Sequence, residues 1–171
     1  EQFTQFLQQE LPLENVKIVP YTGSVALFLE DKRFAQQAYV FSEPCIARQQ
    51  GGDPKCLLLS EIGFNPYSST LISSEQLIEE HPELMAKVVR ASVRGWRKYL
   101  EDPLPTNRWI HKLNSEMSPE ILAFGAEAIR PLCLPGGHDS ATLGAMSSER
   151  WETLAGQLRS IGLLEDPTAC V

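Results

Sequence analysis

The sequence contains no apolar run approaching the ~20 residues a membrane-spanning helix requires. It also has no CxxC pair, internal repeat or low-complexity stretch. Basic residues are scarce relative to acidic ones, 15 against 22, for a formal net charge of −7. Non-specific nucleic-acid binding works through a basic field that displaces counterions, so this balance argues against it. Only three histidines are present, His81, His111 and His138, and none sits at metal-ligand spacing from a Cys or carboxylate. The four cysteines, Cys45, Cys56, Cys133 and Cys170, are equally scattered. Buried thiols are their ordinary reading, and disulfides stay open if the protein is exported. Neither an initiator Met nor a signal peptide opens the chain, and Glu1–Leu7 already reads as mid-helix. The beginning looks like a cut.

What is present is a chain of 171 residues, 43% of them hydrophobic. A chain of this size can bury roughly 70% of the surface its unfolded form exposes, enough for one core without staples. The first half alternates helical and strand-like segments. Phe3, Phe6 and Leu7 recur at helical spacing, and Pro12 closes that segment. Val16–Val19, Ala38–Phe41, Cys56–Leu59 and Ser69–Ile72 read as strands. Between them a helix is expected after Ser24, with Ser24 or Thr22 as cap, and another from Pro44 to Gln50, stopped by Gly51-Gly52. Strand–helix alternation with short connections predicts an α/β unit with parallel pairing.

From residue 73 onward the pattern is helical. Ser73 and Gln76 form a candidate capping box, and a long helix follows Pro82 to about Glu101. Further helices are expected over Pro105–Leu113, after Ser118-Pro119-Glu120, and from Ser148 to Ile161, with Gly162 at its C′ position. Lys87, Arg90, Arg94 and Arg97 share one face of the long helix, which reads as a solvated face rather than a docking stripe. Trp96, Trp109 and Trp151 fall in helical segments, where core packing is their usual fate. His138-Asp139 lies in a Gly-rich loop without a nucleophile motif, a weak acid–base signal.

Two loops carry more chemistry. Tyr21-Thr22-Gly23-Ser24 joins a strand to a helix, so backbone N–H groups and hydroxyls converge where a phosphate, carboxylate or carbonyl oxygen can be held. Phe41-Ser42-Glu43-Pro44 ends a strand, where ligands collect in open α/β sheets. There Glu43 can accept hydrogen bonds from a ligand amine, with Tyr39 or Phe41 offering an aromatic face. The structural alternatives are an ordinary capped turn and a helix-capping Glu.

These loops are part of a larger resemblance. Val16-Lys17-Ile18-Val19-Pro20-Tyr21, Gly23-Ser24, and Ala38-Tyr39-Val40-Phe41-Ser42-Glu43-Pro44 make up its first part. Gly52-Asp53-Pro54-Lys55, Leu57–Ser60 and Gly63-Phe64-Asn65-Pro66-Tyr67-Ser68-Ser69 follow. Pro82-Glu83-Leu84, Arg94-Gly95-Trp96, Asp102-Pro103, Thr106-Asn107, Gly144-Ala145-Met146 and Glu149-Arg150-Trp151 extend it. The chain resembles the NMT1/THI5-like group, which includes substrate-binding proteins of ABC importers and thiamine-pyrimidine synthases. Family members commonly carry Gly-Lys-x-Asp-Ala ahead of the Tyr39 segment; here Asp31-Lys32-Arg33-Phe34-Ala35 stands instead.

The resemblance implies a type II periplasmic-binding-protein fold of two α/β lobes. Residues 1–65 would be the second-lobe ligand-binding unit, and 66–171 the crossover and mainly helical remainder of the first lobe. It implies binding of a small heteroaromatic nutrient, such as a thiamine pyrimidine precursor, at Tyr21, Gly23, Ser24, Glu43, Asn65 and Tyr67. No catalytic residue, metal or cofactor is expected. Expected partners are the ligand, an ABC permease at the extracytoplasmic or periplasmic face, and a second copy of the chain. The alternatives are a thiamine-pyrimidine synthase of the same fold, whose Cys-rich motif belongs to a region ahead of these residues, and a ligand-sensing domain of a larger receptor.

Overall fold

The computed structural model describes residues 2–134 and 142–165. The candidates His138, Asp139 and Cys170 lie outside the described residues. In order along the chain come α1 (Gln2–Glu10), α2 (Ala26–Glu30), α3 (Glu43–Gln49), a 3-10 turn (Leu59–Ile62) and α4 (Glu75–Glu80). These are followed by α5 (Pro82–Glu101), α6 (Leu104–Leu113), α7 (Pro119–Cys133) and α8 (Ser148–Ser160).

Most helix limits have a local cause. Ser118 Oγ accepts the Ile121 N–H at 3.3 Å and starts α7, and Ser147 Oγ accepts the Arg150 N–H at 3.3 Å at the head of α8. A side-chain oxygen of this kind satisfies one of the N–H groups that a helix start leaves unpaired. Pro82 enters α5 in its first turn, where its missing N–H costs nothing. Gly162 ends α8 with φ +73°, a conformation open to glycine without steric strain. The expected capping box shifts by one residue: Ser74, not Ser73, accepts from Leu77 N–H, and Gln76 donates to Glu80 instead.

The α/β expectation is overturned. Among the described residues there are helices and turns but no strand. Val16–Val19 and Ala38–Phe41 are without strand pairing; Cys56–Leu59 runs as coil into the 3-10 turn, and Ser69–Ile72 is irregular. A strand is defined by a ladder of hydrogen bonds to a neighbour, which apolar alternation in one segment cannot supply. Many of the side chains meant for a buried sheet are instead exposed, with Leu57 at 89% and Ile72 at 91% accessibility, while Val40, Phe41, Leu58 and Leu59 are half-buried.

The chain divides into two compact units. The first draws together Glu1–Pro20, Leu57–Thr70 and Ala145–Val171. Its buried residues are Phe6, Phe64 and Ala155, with the Phe6 and Phe64 rings 4.8 Å apart and tilted by 32°. The second comprises Tyr21–Cys56 and Leu71–Gly144. Its core is formed by Val25, Ala47, Leu100, Ile121, Leu122, Ala126 and Leu134. α7 packs there against α6 and α3, and Gly125 lets α7 approach the Phe41 carbonyl, which a Cβ would meet at 3.0 Å. Buried Asn107 accepts a hydrogen bond from Tyr99 Oη at 3.2 Å. Arg130 donates to the Leu100 carbonyl near the C-terminus of α5, satisfying a helix-end acceptor.

Of the tryptophans, Trp96 and Trp109 are exposed and Trp151 is half-buried. The basic face of α5, from Lys87 to Arg97, is exposed to solvent. Cys45 and Cys133 are half-buried and Cys56 is exposed; burial raises the pKa of the Cys133 thiol. No helix among the described residues is long and apolar enough to cross a membrane.

Candidate functional site

The expected site residues fall into two groups, one in each unit. Tyr21, Gly23, Ser24 and Glu43 belong to the second unit, and Asn65 and Tyr67 to the first.

In the second unit Glu43 is the organising side chain. It is the first residue of α3, where an acidic group also suits the helix dipole. Its Oε2 accepts the Tyr39 N–H at 2.8 Å, and its Oε1 accepts the Tyr21 hydroxyl at 3.3 Å. Two donors from different segments therefore orient one half-buried carboxylate. Beside it the Tyr39 and Phe41 rings stack, with centroids 5.2 Å apart and planes 21° from parallel. Tyr39 is 51% exposed, so this aromatic step is open to solvent. Partial burial, and then the Glu43 charge and hydrogen bond, raise the Tyr21 pKa, because each disfavours a phenolate. Gly23 turns the chain with φ +75°. Ser24 Oγ accepts the Ala26 N–H at 3.1 Å, so its hydroxyl serves the first turn of α2.

In the first unit Asn65 and Tyr67 are brought together by Arg150, which the reading of site residues did not single out. Arg150 Nε donates to the Asn65 carbonyl at 2.7 Å. Its Nη2 donates to Asn65 Oδ1 at 2.8 Å and to the Pro66 carbonyl at 3.0 Å. The guanidinium carbon also lies 4.0 Å from the Tyr67 ring centroid, a cation–π contact. Trp151 approaches the same ring at 5.2 Å, and the Ser147 N–H donates to Tyr67 Oη at 2.9 Å. That last bond, joined by the positive Arg150, lowers the Tyr67 pKa. A cavity of about 230 Å³ opens here, with Gly63, Asn65, Glu149, Arg150 and Gln157 among its lining residues.

A signal for this cluster was present in Glu149-Arg150-Trp151, which belongs to the motif series described above. Nothing in sequence spacing, however, could connect Arg150 to a segment 85 residues earlier. Among the described residues no group of three or more His, Cys, Asp or Glu side chains is arranged to hold a metal ion.

Comparison with known proteins adds family context. The family model described as NMT1/THI5 like matches residues 6–105. Riboflavin-binding protein RibY of Chloroflexus aurantiacus is 30% identical over 159 residues, a region that covers 89% of this chain. The same alignment covers 44% of RibY, so the chain spans less than half the length of this curated relative. No solved structure matches. The ordered motifs from Tyr39 to Ser69, the family match over more than half of the chain and the similarity to RibY together place this chain in the NMT1/THI5-like family.

Proposed function

We propose that the chain is part of a substrate-binding protein for a small heteroaromatic nutrient, working with an ABC permease on the extracytoplasmic side of a membrane. Family membership and the name of its relative RibY support binding rather than catalysis. The observation that carries the choice of ligand class is the Glu43 carboxylate, held by Tyr21 and Tyr39 beside the open Tyr39–Phe41 stack. A planar ring with an N–H edge matches both features. Its face stacks on an aromatic side chain while its N–H donates to a carboxylate, a charge-assisted bond stronger than a neutral one.

Pyrimidine precursors and riboflavin share that chemistry, so the ligand class is an N–H-bearing heteroaromatic ring. Gly23 and Ser24 would receive a polar substituent; Asn65 and Tyr67, in the other unit, stay candidate contacts. Ligand contacts made only in a closed form would shift the protein towards closure.

The test titrates the full-length protein with riboflavin, followed by its fluorescence, and with a set of aminopyrimidines, followed by calorimetry. Binding of at least one is expected, with Glu43→Gln weakening it about tenfold or more, the worth of a charged hydrogen bond. Unchanged affinity in Glu43→Gln removes that residue from the site. Failure of every compound ends the heteroaromatic reading.

A further inference from the structure

The first unit is assembled from three segments far apart in sequence, and side chains of α8 tie them together. Gln157 Nε2 donates to the Gly63 carbonyl at 2.8 Å. Two turns back along α8, Arg150 engages Asn65 and Pro66 through three hydrogen bonds and covers the Tyr67 ring. Ser147 N–H holds the Tyr67 hydroxyl. Almost every residue from Gly63 to Tyr67 thus has a partner near α8, with Phe64 buried on the Phe6 ring.

Arg150 differs from an ordinary surface arginine in its choice of partners. All its oxygen acceptors are neutral, and no carboxylate lies within ion-pair distance among the described residues. A guanidinium is suited to this work: its N–H groups are fixed in one plane, and that plane stacks on an aromatic face. Lysine carries the same charge but cannot reproduce the fork.

We propose that Arg150 is a positioning residue: it holds the Asn65-Pro66-Tyr67 segment in a single arrangement and so fixes the direction in which Asn65 faces the adjoining cavity. Its consequence for ligand affinity rests on the function proposed above; its effect on the segment does not.

The experiment measures amide hydrogen exchange and the absorbance titration of tyrosine in the full-length protein and its variants. In Arg150→Gln, exchange over residues 64–69 should rise about tenfold or more, the signature of a local opening, while the Tyr21–Glu43 region keeps its rate. The Tyr67 ionisation should move to higher pH, with Tyr67→Phe identifying the transition. Arg150→Lys should restore neither readout fully, because charge alone does not rebuild the fork. Wild-type protection in Arg150→Gln, or full rescue by Lys, overturns the proposal. If Arg150→Gln melts α8 as a whole, Asn65→Ala decides: faster exchange confined to residues 64–69 supports the clasp, and unchanged exchange overturns it. If these readouts respond as stated while riboflavin and the pyrimidines fail to bind, the proposed function falls and the role of Arg150 stands.

Discussion

Tyr67 in the first unit accepts a hydrogen bond on its hydroxyl from Ser147 N–H and carries the Arg150 guanidinium on its ring. Tyr21 in the second unit donates its hydroxyl to the Glu43 carboxylate. The same phenol is therefore made more acidic in one unit and less acidic in the other. Burial first, and then the Glu43 charge and hydrogen bond, disfavour the Tyr21 phenolate, whereas the Ser147 donor and the Arg150 cation favour that of Tyr67. The units also differ in how they cohere. The first is stitched by side chains that reach backbone oxygens across 84 to 94 residues. The second is held by packed helices.

The largest test of this contrast is Phe64→Ala. It removes one member of the aromatic pair that anchors α1 to the Leu57–Thr70 segment. A loss of about 3 kcal/mol is expected for truncating a buried Phe, read as reduced thermal stability with faster exchange in α1. Equal loss of protection throughout the second unit would show that the two units unfold as one.

Gly125→Ala probes the second unit, where a new Cβ would stand 3.0 Å from the Phe41 carbonyl oxygen. If the Phe41 carbonyl is held firmly, the overpacking costs about 1–3 kcal/mol, against about 1 kcal/mol gained from replacing a helical glycine; a fall in melting temperature is expected. The disturbance should appear in α7 and at Phe41, which precedes Glu43, and the Tyr39–Phe41 stack should loosen. A raised melting temperature would mean that α7 moves aside freely and keeps only the propensity gain.

The smallest effect is the pH response of the two phenols, observed at 295 nm with Tyr21→Phe and Tyr67→Phe as assignments. The Tyr67 transition should fall below the ordinary tyrosine value of about 10, and that of Tyr21 above it. The linkage has opposite signs. The raised Tyr21 pKa contributes stability below its unfolded pKa, and this is lost as pH rises through the folded value. The lowered Tyr67 pKa contributes stability above its unfolded pKa, and this is lost as pH falls through the folded value. Coincident transitions would erase the distinction between the two units.

Helix positions were largely legible in the sequence because their causes are local. Ser118 caps α7, Pro82 opens α5 and Gly162 follows α8, each acting within a few residues of the boundary it sets. Glu43 also stood out, since an acidic residue beside aromatic residues at a segment end is a local pattern. Its two donors were harder to foresee, because Tyr21 lies 22 residues away. The four strand expectations failed for the converse reason. Val16, Ile18, Leu57 and Ile72 have the apolar character of strand residues, yet a ladder requires a second segment placed alongside.

By itself, then, the sequence determined most helix positions, several caps and stops, the acidic charge balance and the family motifs, all of which follow from short-range chemistry or residue order. Tertiary structure alone decided that the apolar segments of the first half remain unpaired. It also decided that Arg150 closes on Asn65 and Tyr67, and that two tyrosines acquire opposite acidities. Each of these depends on which distant group the folded backbone brings within about 3–5 Å, the range of hydrogen bonds and ring contacts.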